Sequence, residues 1–199
     1  MKNILTIDFD IIMDNSIELY NSMGMPWEER FQRHPVLKTL PMEATHFQRI
    51  TQFLIQLYTT IEIDKVHFIE QHHKILDYLT DDEYHIINVD HHHDWAYKDI
   101  DFEKPIEKVD CGNWVKALSD QGKLLSYTWI KNETSIGPKE EQNFTIYNLK
   151  DCTLFNFSNI DEVYIVLSPE FVPPYYYSLF YIWLDIANGA YNTHFEVDY

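Results

Sequence analysis

The residues best suited to chemistry stand together in one stretch, Asp90-His91-His92-His93-Asp94. An apolar run over residues 85–89 leads into it and reads as a buried strand. In an extended backbone Asp90, His92 and Asp94 alternate, so their side chains leave on the same side. Two carboxylates and an imidazole converging at a strand end form an oxygen- and nitrogen-rich pocket for a divalent cation. The plain alternatives are a surface histidine tract, or an aspartate capping the next helix.

Two further stretches point the same way. Ile4-Leu5-Thr6-Ile7-Asp8-Phe9-Asp10 is an apolar strand ending in Asp-x-Asp, with Asp8 and Asp10 on one face. Burying two like charges is costly unless a cation sits between them, so the choice is a cation site or a solvent-facing pair. Val66-His67-Phe68-Ile69-Glu70 is a second strand that closes on Gln71-His72-His73. Alternation groups His72 with Val66, Phe68 and Glu70, but the strand ends near Glu70, so geometry does not choose between His72 and His73. The bland reading of that pair is a helix entry.

The elements that must position these residues follow from periodicity and punctuation. Residues 24–41 hold Pro26, Pro35 and Pro41 and read as an irregular connection with one short turn over 27–30. Over 42–61 the apolar positions Phe47, Ile50, Phe53, Leu54, Leu57, Tyr58 and Ile61 follow one helical face, with a packed or exposed His46 beside it. A short helix through Leu79 and a turn over 82–85 lead to the central strand.

Residues 105–111 read as a loop. Asn113 reads as the N-cap of a helix carrying Trp114, Val115 and Leu118 and stopped at Gly122. Residues 124–130 are β-like, 131–143 a loop or hairpin tip, and 144–157 two short, weakly defined strands. Residues 162–167 form a clear buried strand ending in Ser168-Pro169-Glu170. Pro173-Pro174 opens an aromatic helix over 175–187, closed by Gly189, and the tail over 190–199 is expected to be loose.

Strands alternating with helices predict one α/β domain over residues 1–199, a mostly parallel sheet flanked by helices in three layers. In such sheets ligands bind at the carboxyl ends of the strands. Asp8 and Asp10, His72, Asp90, His92 and Asp94, and Glu170 all fall at predicted carboxyl ends.

Composition sets the boundaries. With 45% hydrophobic and 16% aromatic residues the chain is a folded globular protein and not a disordered one. A net charge of −17 argues against nucleic acid or an anionic membrane as partner; its plain reading is a soluble acidic surface, with ligand carboxylates that a bound cation would offset as a further contribution. The expected partner is a small-molecule substrate. Cys111 and Cys152 are too few for a disulfide framework, and no CxxC pair is present. The N-terminus runs straight into a strand carrying Asp8 and Asp10, which is not a signal peptide, and no apolar run reaches membrane-span length. A cytoplasmic protein is expected.

Taken together, the three stretches resemble the arginase/deacetylase-like fold and, within it, the uncharacterised UPF0489-type proteins. Glu70-Gln71-His72-His73 is similar to the family's strand-end histidine, Asp90-His91-His92-His93-Asp94 to its Asp-x-His-x-Asp motif, and Asp8-Phe9-Asp10 to its Asp-x-Asp motif. Cys111-Gly112-Asn113-Trp114 and Leu167-Ser168-Pro169-Glu170 also look like segments of the narrower group. The resemblance implies a binuclear site: His72, Asp90, Asp94 and Asp8 on one metal, and Asp90, His92, Asp8 and Asp10 on the other. It favours His72 over His73. In arginases the Asp-x-Asp strand follows the Asp-x-His-x-Asp strand, whereas here it opens the chain, which looks like a circular permutation.

Carboxylate-rich ligation without thiolate suits Mn²⁺, with Zn²⁺ an option if one ion binds. The implied reaction is hydrolysis of an amidine or amide C–N bond by a metal-bound hydroxide. His91 or His93 is the nearest proton donor for the leaving nitrogen, against a structural role for each. Glu170 either binds a cationic substrate group or supports a histidine ligand. Competing expectations are a haloacid-dehalogenase-like or DHH-type phosphoesterase, and a non-catalytic metal-binding protein. Against the phosphoesterases, Gly is missing after Asp10 and the chain has only 5 glycines for a phosphate-binding loop.

Overall fold

A computed structural model describes residues 1–13, 25–80, 82–95, 108–137, 144–152 and 159–191. Six strands form one sheet: β1 (Lys2–Asp8), β2 (Val66–Ile69), β3 (Tyr84–Val89), β4 (Leu124–Lys131), β5 (Thr145–Asn148) and β6 (Glu162–Val166). Their order is β2-β6-β1-β3-β4-β5 and every pairing is parallel. β1, the first segment of the chain, therefore lies inside the sheet between β6 and β3. Its run of Ile4, Leu5, Thr6 and Ile7 is buried on both faces, as a central parallel strand requires.

The helices are α1 (Trp27–Arg33), α2 (Ala44–Leu57), α3 (Trp114–Asp120) and α4 (Tyr177–Tyr191). Strand alternation divides the core into two layers. Leu5, Ile7, Val163 and Ile165 face α2 and α4, meeting Ile50, Phe53, Leu54, Phe180 and Trp183. Ile4, Ile86, Trp129, Tyr164 and Val166 face the other side, meeting Trp114, Val115 and Leu118 of α3. The result is the expected three-layer α/β/α arrangement. Phe9, fully buried with its ring 4.8 Å from that of Trp183, locks the end of β1 to α4. Burying such a ring contributes about 1.5–3 kcal/mol.

Sheet order also fixes where a site can form. From β1 the chain proceeds to β2 on one flank, and from β3 to β4 on the other. The two strands are neighbours whose connections diverge, which opens a crevice at their carboxyl ends. The register sets Ile7 opposite Val89, so Asp8 and Asp90 follow side by side at that crevice.

Several local expectations are corrected. Residues 27–33 form a two-turn helix and not a single turn, with Glu28 and Glu29 in its first turn and Arg30 and Arg33 in its last, both favourable to the helix dipole. A 3-10 turn, Pro174–Tyr176, precedes α4, which runs through Gly189 to Tyr191. A glycine inside a helix costs only about 1 kcal/mol relative to alanine, and Gly189 is not in the left-handed conformation that ends helices. Gly122 is, at φ +69, directly after α3. Asn113 takes the expected N-cap position of α3 but makes no side-chain capping bond: its Oδ1 accepts from Asp110 N at 2.9 Å and its Nδ2 donates to Lys108 O at 3.0 Å, tying the preceding loop. Of the two weak strands expected over 144–157, β5 is one; residues 153–157 lie outside the described residues, as do 138–143 of the expected loop, 105–107, and 192–199 of the tail. No helix among the described residues is long and apolar enough to cross a membrane.

Candidate metal centre

An aspartate turns the chain at the end of each central strand: Asp8 is the last residue of β1, and Asp90 directly follows β3. Asp8 Oδ1 accepts a hydrogen bond from Asp10 N at 3.0 Å, and Asp90 Oδ1 accepts one from His92 N at 2.7 Å. Side-chain turns of this kind compete with continued strand. Asp10 accordingly lies in the 3-10 turn Phe9–Ile12, and Asp94 lies at φ 47. The carboxylates converge through these turns and not through the extended alternation expected from spacing.

His72 opens the 3-10 helix His72–Asp77 after β2. Its Nδ1 lies 3.1 Å from Asp8 Oδ2, 3.0 Å from Asp90 Oδ2 and 3.0 Å from Asp94 Oδ2. It is nevertheless aligned with none of them, a buried nitrogen without a hydrogen-bond partner. None of the four residues is more than 4% exposed. Donors about 2.1 Å from one ion at right angles to each other are about 3 Å apart, so these separations suit adjacent corners around a single divalent cation. The opposite ring nitrogen, Nε2, is 2.8 Å from Thr6 Oγ1, and the ring packs 4.8 Å from Trp114.

A second group adjoins the first. His92 Nδ1 is 2.8 Å from Asp10 Oδ2 and 4.0 Å from Asp90 Oδ1. Asp10 Oδ1 accepts from His91 N at 3.1 Å, and Phe171 packs 4.5 Å from the His92 ring. Asp8, His72 and Asp90 form one set of donors close enough to share an ion, and Asp10, Asp90 and His92 form another. Asp90 belongs to both.

Four buried carboxylates this close cannot all stay ionised unaided. Burial, then repulsion by Asp90, pushes the Asp8 and Asp94 carboxyls up, Asp94 well above the usual range. Burial with repulsion from Asp8 and Asp90 does the same to Asp10. Burial also works to raise Asp90, but His72 and His92 outweigh it and hold Asp90 low. His72 shows the converse: burial disfavours its charged form, yet Asp8, Asp90 and Asp94 carry it well above the ordinary histidine value. Burial pushes His92 down. The cage therefore calls for positive charge at the point His72 Nδ1 faces, from a proton or from a cation. A divalent cation fits: the orphaned nitrogen and three oxygens supply its donors, and hard oxygen ligands predominate.

Each inward oxygen of the cage has a neutral donor behind it. Ser168 Oγ donates to Asp8 Oδ2, Asn88 Nδ2 to Asp90 Oδ2 at 3.1 Å, and Trp114 Nε1 to Asp94 Oδ2 at 2.6 Å. Asn88 also donates to Tyr127 Oη at 2.9 Å, and Trp129 Nε1 donates to Asp90 O at 2.9 Å. Ser168 sits at φ 49 in the left-handed region, a conformation that costs a non-glycine residue of order 1 kcal/mol. Its loop is clamped by α1: Trp27 Nε1 donates to Pro169 O at 2.7 Å, and Arg30, over the Trp27 ring, donates to Glu170 O at 2.5 Å.

Sequence reasoning passed over Thr6, Asn88, Trp114 and Ser168. Thr6 and Asn88 had a signal, since each is a polar interruption of an apolar strand two residues before an aspartate. Trp114 and Ser168 lie in the two segments that carry the resemblance, but nothing local marked their side chains as partners of Asp94 and Asp8, which are distant in the chain.

The remaining candidates surround the cage. His91 is buried, its Nδ1 has no hydrogen-bond partner, and burial followed by the charge of His92 lowers it to about 3. His93 accepts from Trp95 N through Nδ1 at 3.1 Å and sets its ring edge on Trp129 at 5.6 Å; burial lowers it to about 4. Glu170 is half-buried, Oε1 accepting from Gln71 Nε2 at 3.3 Å and Oε2 buried without a partner. His73 is half-buried beside His72, its own Nδ1 buried and unpartnered. His46 is buried with Nε2 3.2 Å from Glu133 Oε2, far along the chain from these motifs. Cys111 and Cys152 are free, and burial, then the charges of Asp94 and Glu170, pushes the Cys111 thiol up and keeps it protonated.

The structure thus brings Asp8, Asp10, His72, Asp90, His92 and Asp94 into one buried centre, while His93 is turned onto Trp129 and Glu170 onto Gln71. No protein-family model, curated protein or solved structure matches this chain.

Proposed function

We propose that this chain is a cytoplasmic, metal-dependent hydrolase of the arginase/deacetylase-like kind, cleaving a C–N bond of a small amidine or amide substrate. One observation carries the reading. Asp90 turns Oδ2 toward the His72 cage and Oδ1 toward His92, so a single carboxylate joins two adjacent donor groups. The position of β1 supports it further. Although first in the chain, β1 lies beside β3 and delivers Asp8 and Asp10 to the motif at residues 90–94, as a permuted chain would. The oxygen-rich donor set, with the Cys111 thiol protonated, favours Mn²⁺ over Zn²⁺.

Divalent ions bound here supply an acidified water and an electrophilic pull on the scissile group. The chain's own residues supply the rest. Asp8, His72, Asp90 and Asp94 would hold one ion, and Asp10, Asp90 and His92, with Asp8, the other. Glu170 Oε2, buried and unpartnered, is an acceptor for an N–H or cationic group of the substrate. Of the two flanking histidines, His91 has its Nδ1 buried and without a hydrogen-bond partner, which leaves it the candidate for the leaving nitrogen; His93 Nδ1 is already engaged by Trp95 N. The two free cysteines accord with a reducing compartment.

The test is a paired assay with Mn²⁺ present, one panel of amidines and amides read by ammonia or amine release, one of phosphate esters read by phosphate release. Turnover on the first panel that Asp10→Asn abolishes is the expected result. Turnover on phosphate esters alone moves the protein to the phosphoesterases, and turnover on neither overturns the enzymatic reading.

A further inference from the structure

We infer that Trp27 and Arg30 of α1 are positioning residues of the metal centre: they hold the loop after β6 by its carbonyls, so that Ser168 keeps Asp8 aimed at the cation. This rests on the metal-centre reading above and adds to it a support that lies outside the donor groups.

α1 turns one buried stripe inward. Trp27 and Arg30 are three residues apart, hence on one helical face, and both are buried, whereas Glu28, Gln32 and Arg33 are exposed. Arginine is always charged, and burying it is costly unless its donors are met, so an apolar side chain would fill this place at less cost. Here the donors go to backbone oxygens. Arg30 Nε donates to Met25 O at 2.6 Å and Nη1 to Glu170 O at 2.5 Å, while the guanidinium lies 4.6 Å from the centre of the Trp27 ring. Trp27 Nε1 donates to Pro169 O at 2.7 Å. The two side chains of the stripe thus take two successive carbonyls of one loop.

Those carbonyls directly follow the residue that serves Asp8. Ser168 donates through Oγ to Asp8 Oδ2, the oxygen that faces His72 Nδ1. Its backbone at φ 49 is sparsely populated for a residue with a side chain and persists only while its surroundings impose it. From the sheet side, Ser168 N donates to Glu70 O at 2.8 Å, and Ser168 O accepts from Phe171 N at 2.9 Å and Val172 N at 3.0 Å. From the other side the anchors are those of α1, with Tyr177 Oη a longer contact at 3.5 Å from Pro169 O. Proline has no N–H, so its carbonyl is the one backbone group by which Pro169 can be held. Removing the α1 donors lets Ser168 relax out of the left-handed conformation, and the hydroxyl that aims Asp8 goes with it.

The experiment is a manganese titration of the full chain by calorimetry, with melting curves of the metal-free protein beside it. Ser168→Ala should weaken binding by about 10- to 100-fold, as loss of a bond to a ligand does. Arg30→Met and Trp27→Phe, one bond further away, should each weaken it by about tenfold, the lower end of that range. In the Ser168→Ala background either α1 substitution should add little, because both act through the serine. Trp27→Phe carries the comparison alone if Arg30→Met does not fold. Tyr164→Phe, which removes a bond to Glu162 at the amino end of the sheet, should lower the melting temperature and leave manganese affinity unchanged. Affinity that simply tracks melting temperature across the variants, full additivity with Ser168→Ala, or binding unmoved by both α1 substitutions would overturn the inference and leave the metal-centre reading standing. Absence of manganese binding by the wild type would overturn both.

Discussion

His72 and Thr6 are joined through Nε2 and Oγ1 at 2.8 Å, and this contact decides which nitrogen of the ring meets the carboxylates. With Nε2 turned to the threonine hydroxyl, Nδ1 points into the cage. His73, next in the chain, is half-buried, and the three aspartates surround the Nδ1 of His72. His72→Ala should therefore lose one manganese ion per chain and His73→Ala none. Thr6→Val, which keeps the shape and removes the hydroxyl, should weaken that ion by about tenfold or more. Metal content of the three purified variants checks the assignment, and loss of metal from His73→Ala alone would reverse it.

Asp90 serves both donor groups, so its loss should be felt at both. Asp90→Asn is expected to bind no manganese at either position, whereas Asp94→Asn should spare the second. The wild type should gain about 2.7 kcal/mol of stability at a manganese concentration a hundredfold above Kd. That gain should vanish in Asp90→Asn. Melting curves with and without MnCl₂ measure it, and an undiminished gain would remove Asp90 from the site.

At the other end of the sheet, Glu162 accepts from Lys2 Nζ at 2.7 Å and from Tyr164 Oη at 2.7 Å. Burial works to raise its carboxyl, but these two partners hold it below its usual value of 4.5. A folded-state value below the unfolded one makes the contribution complete above about pH 4.5 and lost as pH falls through the folded value. The effect should stay below about 1 kcal/mol because the pair is half-exposed and screened. The melting-temperature gap between wild type and Glu162→Gln should narrow on moving from pH 6 toward about pH 3. A gap that is constant with pH would show that the bonds act by shape alone.

Position in the sheet predicts hydrogen exchange. β1 lies between β6 and β3, and Ile4, Leu5, Thr6 and Ile7 are fully buried. Their amides should exchange only through global unfolding. Among the described residues β5 pairs only with β4, and it exposes Ile146 and Tyr147, so its amides should open locally and exchange faster. Equal protection in the two strands would contradict this placement.

Local pattern in the sequence was sufficient for the strands, the parallel sheet and the donor types. Apolar runs such as Ile4-Leu5 and Val163-Tyr164-Ile165-Val166 are short, rich in β-branched residues and bounded by polar ones, which favours buried strands over helix, and alternation with helices makes those strands parallel. Aspartates and histidines at their ends then carry their own chemistry, which is why six candidate ligands were legible before any contact was known. What the tertiary structure decided is how they meet. Asp8 and Asp90 end their strands by turning the chain, so spacing along an extended backbone misdescribed Asp10 and Asp94. The supporting atoms belong to residues remote in sequence: Thr6 and His72 are 66 positions apart, Asp8 and Ser168 160. No periodicity encodes such pairs, because they exist only once the strand order has set β1 between β6 and β3. The same packing turned His93 onto Trp129 and left His91 Nδ1 unpartnered, a distinction between two adjacent-but-one histidines that only three-dimensional surroundings can make.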